Sequence, residues 1–185
     1  MRPNSIYVSR TLSLLLGFLL LAGLVIATVT YRSAHLGNRL FKEYFTAVPQ
    51  QGYGTQRGFA RDTDQEASVL RQAYNYHQNA DYDLAIVSFR SYLSTNPVPA
   101  DARIPILAAT AALANGHTAE AKELLTLVNE DDGAAYASAT WYQAMAELRA
   151  ERLVAAEVLL TELHDSRYAV AYPTGDLLER LRGSK

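Results

Sequence analysis

Apolar positions follow three different rules along the chain. From Thr11 to Tyr31 no residue is charged, and Leu12 to Ala27 is almost wholly aliphatic. A helix of about 21 residues rises roughly 30 Å, the thickness of a bilayer core. The run is longer than the apolar part of a cleavable signal peptide, and Ala27-Thr-Val-Thr-Tyr31 makes a poor cleavage site. A retained span over 11–31, after a short tail at 1–10, is therefore expected. Within it Gly23 and Ala27 stand four apart, a spacing that lets two spans approach closely and offers a route to a homodimer.

Past the span, Leu36, Leu40, Phe41, Tyr44 and Phe45 recur at helical intervals. They predict a short amphipathic helix, with two places for its apolar face: the bilayer interface, with Arg39 and Lys42 toward headgroups, or the domain that follows. Val48 to Gly58 then breaks any helix with one proline and three glycines, so 32–63 reads as a juxtamembrane helix and linker. Gly52, Gly54 and Gly58 neither follow a strand nor open directly into a helix, which excludes a dinucleotide fingerprint.

From Asp64 the helical period takes over. It predicts helices over Asp64–Gln78, Tyr82–Thr95, Asp101–Asn115, Thr118–Asn129, Ala134–Ala150 and Leu153–His164, and a last one delayed to about Thr174 by Pro173 and Gly175. Pro105 falls in a first turn, Gly116 reads as a helix stop and Thr118 as the start of the next helix. Three alanines, Ala85, Ala121 and Ala156, lie 36 and 35 residues apart. Each has an alanine twelve residues earlier (Ala73, Ala109, Ala144) and a large apolar residue four later (Phe89, Leu125, Leu160). Two antiparallel helices cross closely only where small residues remove bulk, so these offsets describe a helical hairpin made three times. The first copy adds Tyr76, Tyr82 and Pro97, whereas Ala112 and Glu147 stand at the Tyr76 position of the others.

Together these residues resemble the tetratricopeptide repeat. The span, Leu40-Phe-Lys-Glu-Tyr-Phe45, Pro49, Arg57-Gly58 and Ala139-Thr-Trp-Tyr-Gln-Ala144 further resemble bacterial single-span members of that family. The resemblance implies an all-α chain: a transmembrane helix, then a short right-handed superhelix over 64–185. Its hairpins would cover about 64–99, 101–133 and 134–166, with a capping helix near 168–182 in which Leu177, Leu178 and Leu181 close the last unit. It also implies the bacterial inner membrane, with a cytosolic N-terminus and periplasmic repeats. The charges flanking the span do not decide orientation, because Arg2 and Arg10 precede it while Arg32, Arg39 and Lys42 follow.

Composition narrows the function. The chain has 17 basic and 19 acidic residues, and without Arg2 and Arg10 the balance is 15 to 19, so no basic surface for nucleic acid is expected. There is no cysteine for a disulfide, thiolate ligand or nucleophile. His35, His77, His117 and His164 are dispersed, Glu130-Asp-Asp132 reads as a solvated turn, and no nucleophile elbow or P-loop occurs. Neither an enzyme nor a cofactor is expected. The expected site is instead the concave face lined by the first helix of each hairpin: Leu70, Arg71, Tyr74, His77 and Gln78, then Arg103, Ile106, Leu107 and Thr110, then Trp141, Tyr142, Met145 and Arg149. Such a face takes a peptide segment or a helix of a membrane-associated partner protein. Alternatives are a periplasmic chaperone or export accessory gripping unfolded clients, and a structural subunit of a membrane complex. Trp141, Tyr142 and Leu107 have a competing place in the core between hairpins.

Overall fold

The structure, a computed structural model, describes residues 35–47 and 64–183. The predicted span, with Gly23 and Ala27, and the linker glycines lie outside them. Among the described residues no helix is long and apolar enough to cross a membrane. Contacts divide the chain after Leu36, and the second unit, Gly37–Lys185, carries the architecture described below.

Every described element is helical. The α-helices are α1 (Leu36–Tyr44), α2 (Asp64–Gln78), α3 (Tyr82–Thr95), α4 (Arg103–Ala114), α5 (Thr118–Leu125), α6 (Ala134–Arg149), α7 (Leu153–His164) and α8 (Thr174–Arg182). Short 3-10 turns occupy Glu130–Asp132 and Ala169–Ala171. Connections of three residues fold α2 on α3, α4 on α5 and α6 on α7 into antiparallel hairpins. The hairpins stack in order through α3 on α4, α5 on α6 and α4 on α6, and α8 closes the array on α7.

The alanine register explains the stack. Ala73, Ala85, Ala109, Ala121, Ala144 and Ala156 are all fully buried, as are Phe89, Leu125 and Leu160. The small residues set the helix crossings and the larger ones fill the space beside them. Leu177, Leu178 and Leu181 of α8 are buried at the end of the array, and His164 Nδ1 meets Thr174 Oγ1 at 3.0 Å at the start of that helix.

Predicted and observed bounds differ most in α5, which ends at Leu125 rather than Asn129. Thr126 N is shared between the carbonyls of Lys122 and Glu123, and Leu127 and Val128 bond three residues back. The last turn thus tightens, and an Asn129 and Asp132 capping box opens the next turn.

The first helix of each hairpin, α2, α4 and α6, has the same ending, visible only in the backbone. Ala80, Gly116 and Glu151 have φ of 60°, 88° and 57°, and again lie 36 and 35 residues apart. At each, two bonds close a Schellman turn: Asp81 N to Tyr76 O and Ala80 N to His77 O; His117 N to Ala112 O and Gly116 N to Leu113 O; Arg152 N to Glu147 O and Glu151 N to Leu148 O. Glycine is at home in this left-handed conformation. Alanine and glutamate carry a Cβ that crowds it.

Polar contacts join neighbouring hairpins. Arg90 and Glu120 form a two-pronged ion pair at 2.5 Å between α3 and α5, beside a 2.8 Å bond from Asn115 to Asp83. Glu147, buried in α6, pairs with Lys122 of α5 and, at 3.3 Å, with Arg152. Glu147, which stands where the first hairpin has Tyr76, thus ties the second hairpin to the third.

Candidate functional site

The predicted site residues divide by exposure. Arg71 and Gln78 are exposed, and Arg103 is half-exposed and bonded to Asp101, from its Nε at 2.7 Å. Leu70, Tyr74, His77, Ile106, Leu107, Thr110, Trp141, Tyr142 and Met145 are buried, and Arg149 is half-buried.

His77 belongs to the interior of the first hairpin rather than to a surface offered to a partner. Its ring stands edge-on to Tyr82 and Phe89, and Nε2 lies 2.9 Å from Thr110 Oγ1. The Thr110 hydroxyl donates to Leu107 O at 2.9 Å, so its oxygen accepts from an Nε2-protonated, neutral imidazole. Burial pushes the pKa of His77 down to about 4. Tyr74 likewise meets Phe89 edge-on, with centroids 5.9 Å apart. Trp141 stacks on Tyr172, whose hydroxyl lies 2.7 Å from Ser138 Oγ, and so takes its place in the core.

The third hairpin's share of the face is covered by α1. Of the two places open to that helix in the sequence, the structure puts it on the domain. Gly37 N and Asn38 N point at the Glu151 carboxylate, 2.8 and 2.9 Å from its two oxygens, which caps the helix start. A Cβ on Gly37 would sit 2.3 Å from Leu148 O and 3.1 Å from Leu153 Cδ2, so only glycine lets the helix come this close. Leu40 is fully buried, and the Arg149 guanidinium lies 4.7 Å over the Phe41 ring. Arg149 also donates to Leu113 O at the end of α4, and burial lowers its pKa. Phe45 stacks on Phe41 and meets Tyr142 edge-on, while the Tyr142 hydroxyl donates to Thr46 O at 3.0 Å. At the rim Arg180 pairs with Glu43, holding that carboxyl below its usual range, and donates to the Tyr44 hydroxyl at 3.0 Å. Tyr44 in turn donates to Asp176.

Sequence reasoning missed Glu151, Asp176 and Arg180, the polar residues that hold α1. One signal for Glu151 was legible: it stands 35 residues after Gly116, where the same helix end calls for glycine. Among the described residues no group of three His, Asp or Glu side chains converges as metal ligands would. A surface cleft is lined by Glu130, Tyr136, Glu162, Arg167 and Tyr168, with the Arg167 guanidinium 4.9 Å over the Tyr168 ring. What the inner face offers chemically is therefore a helix-binding surface on the third hairpin and an exposed polar edge, Arg71 and Gln78, on the first.

No family model, curated protein or solved structure matches the chain.

Proposed function

We propose that the chain is a membrane-anchored helical-repeat scaffold of the tetratricopeptide type, which recruits a partner protein through the inner face of a right-handed superhelix. The observation that carries this reading is the helix α1 on the third hairpin: a face that receives one amphipathic helix in a fixed direction has the shape and polarity of a peptide-recognition groove. The apolar run at 11–31 supplies the anchor, and the resemblance to bacterial single-span proteins is what favours an N-terminus in the cytosol and repeats in the periplasm. Such an anchor confines the domain to the membrane and raises its effective concentration near other membrane components. Function lies in that recruitment rather than in catalysis.

The test is isolation of the full chain from its native membrane in mild detergent, beside an Arg71→Ala, Gln78→Ala variant. Both side chains are exposed, so their truncation leaves the core intact. One defined partner, weakened in the variant, is expected. Repeated isolation of the chain alone would overturn the scaffold reading.

A further inference from the structure

The surface that holds α1 is built with a direction. At one end the Glu151 carboxylate faces two free amide groups of a helix N-terminus, where the helix dipole is positive. At the other, Arg180 reaches the last turn of that helix, where the dipole is negative, and pairs with a carboxylate carried there. Between them Arg149 and Tyr142 present a cation and a ring to the aromatic pair Phe41 and Phe45. The bare backbone at Leu148 admits only a residue without a side chain.

Glu151 shows that this surface is set up for a helix and not only for the hairpin. At the two equivalent positions the turn is made by Ala80, which is exposed and carries only a methyl group, and by Gly116, which has no side chain. A glutamate in the left-handed region is crowded by its Cβ where glycine is not, and the hydrogen bonds its carboxylate accepts come from Gly37 N and Asn38 N of α1. The carboxylate serves α1.

The occupant is the weaker half of the pair. Nine residues are too few for a stable isolated helix, so α1 is helical because it is docked. Its rim contacts, Glu43 to Arg180 and Tyr44 to Asp176, are exposed and screened by salt. Its described contacts lie on the edge of the third hairpin and on α8, so α1 can leave without disturbing the alanine-centred crossings.

We propose that α1 is a resident self-ligand of this groove, exchangeable for a partner's amphipathic helix that has a small residue in its first turn, a Leu-aromatic pair one turn later and a carboxylate in the next. The proposal rests on the reading of the domain as an interaction module and names the partner's chemistry. Released α1 keeps its apolar face and its Arg39 and Lys42, the composition of a helix that lies on a bilayer surface.

The probe is a fluorescent peptide of residues 35–47, titrated into the detergent-solubilised full chain. The wild type should bind it poorly, because α1 already fills the groove. Gly37→Ala with Leu40→Ala, both within α1, should empty the groove and tighten peptide binding by at least about tenfold. Adding Glu151→Gly should remove most of that gain. Equal binding by wild type and the α1 variant, with the variant's melting curve showing a folded domain, would overturn the proposal. Hydrogen exchange of the wild type gives a second measurement free of any variant: α1 amides should exchange through local opening, far faster than those of α4. Exchange of α1 only with global unfolding would make it a fixed part of the core. Recovery of a defined partner together with failure of the peptide would defeat this proposal alone and leave the scaffold reading standing.

Discussion

The first and third hairpins are built to one plan and used differently. Both cross at a buried pair of alanines, Ala73 with Ala85 and Ala144 with Ala156, and the first helix of each ends in a left-handed turn closed by the same two bonds. In the first the turn residue is Ala80, and the interior spends its polar group inward, His77 on Thr110 of the next hairpin. In the third the turn residue is Glu151, and the polar groups reach outward to α1. Small residues at fixed offsets are thus enough to make a hairpin stack. What each hairpin then does is decided at the positions the plan leaves free.

The largest expected effect breaks what the two share. Phe89, fully buried four residues after its alanine centre, touches both Tyr74 and His77. Phe89→Ala should cost about 3–5 kcal/mol in denaturant unfolding while leaving α1 protected from exchange, because its contacts lie in the third hairpin.

Acid separates the two regions next. His77 is neutral in the fold, with its pKa held down to about 4 against an ordinary value of 6.5. The unfolded chain therefore binds the extra proton first, and stability is fully present above about 6.5 and falls as pH drops toward about 4. The loss should reach at most about 3 kcal/mol and centre on the first hairpin. A His77→Gln variant, less stable at neutral pH, should show a flatter profile over that window.

The sharpest comparison uses the equivalent turns. Gly116→Ala should destabilise by about 1 kcal/mol, since the alanine takes on a left-handed backbone and its Cβ would lie 3.1 Å from an Arg149 nitrogen. Glu151→Gly should leave the repeats as stable or raise them by up to about 1 kcal/mol, yet release α1 to exchange. A parallel loss in both variants would show that Glu151 serves the hairpin rather than the helix it caps. The smallest effect belongs to the rim: Arg180→Ala should leave the melting temperature of the repeats unchanged and only make α1 docking less sensitive to salt.

Much of this was legible in the residues. The bounds of α2, α3 and α7 follow from periodicity and caps, and the buried alanines from their spacing. Two features were not. The left-handed turns at Ala80 and Glu151 carry no glycine to mark them, although the same two backbone bonds close them as close the turn at Gly116. The inward turn of Tyr74 and His77 depends on how far the second hairpin rotates over the first, and helical spacing alone fixes a face only to within about one residue.

By itself, then, the sequence determined that the chain from Asp64 is helical, where its hairpins cross, and that an amphipathic helix begins near Leu36, since all three depend on contacts between residues within a few turns or one hairpin of each other. Where α1 goes is a different kind of question. Gly37 and Glu151, or Glu43 and Arg180, are more than a hundred residues apart in the chain, and nothing in the local pattern of either segment specifies the other. Only the tertiary structure, by stacking three hairpins and laying α8 across the last, brings a carboxylate, a bare backbone and an arginine into line at the length of one short helix.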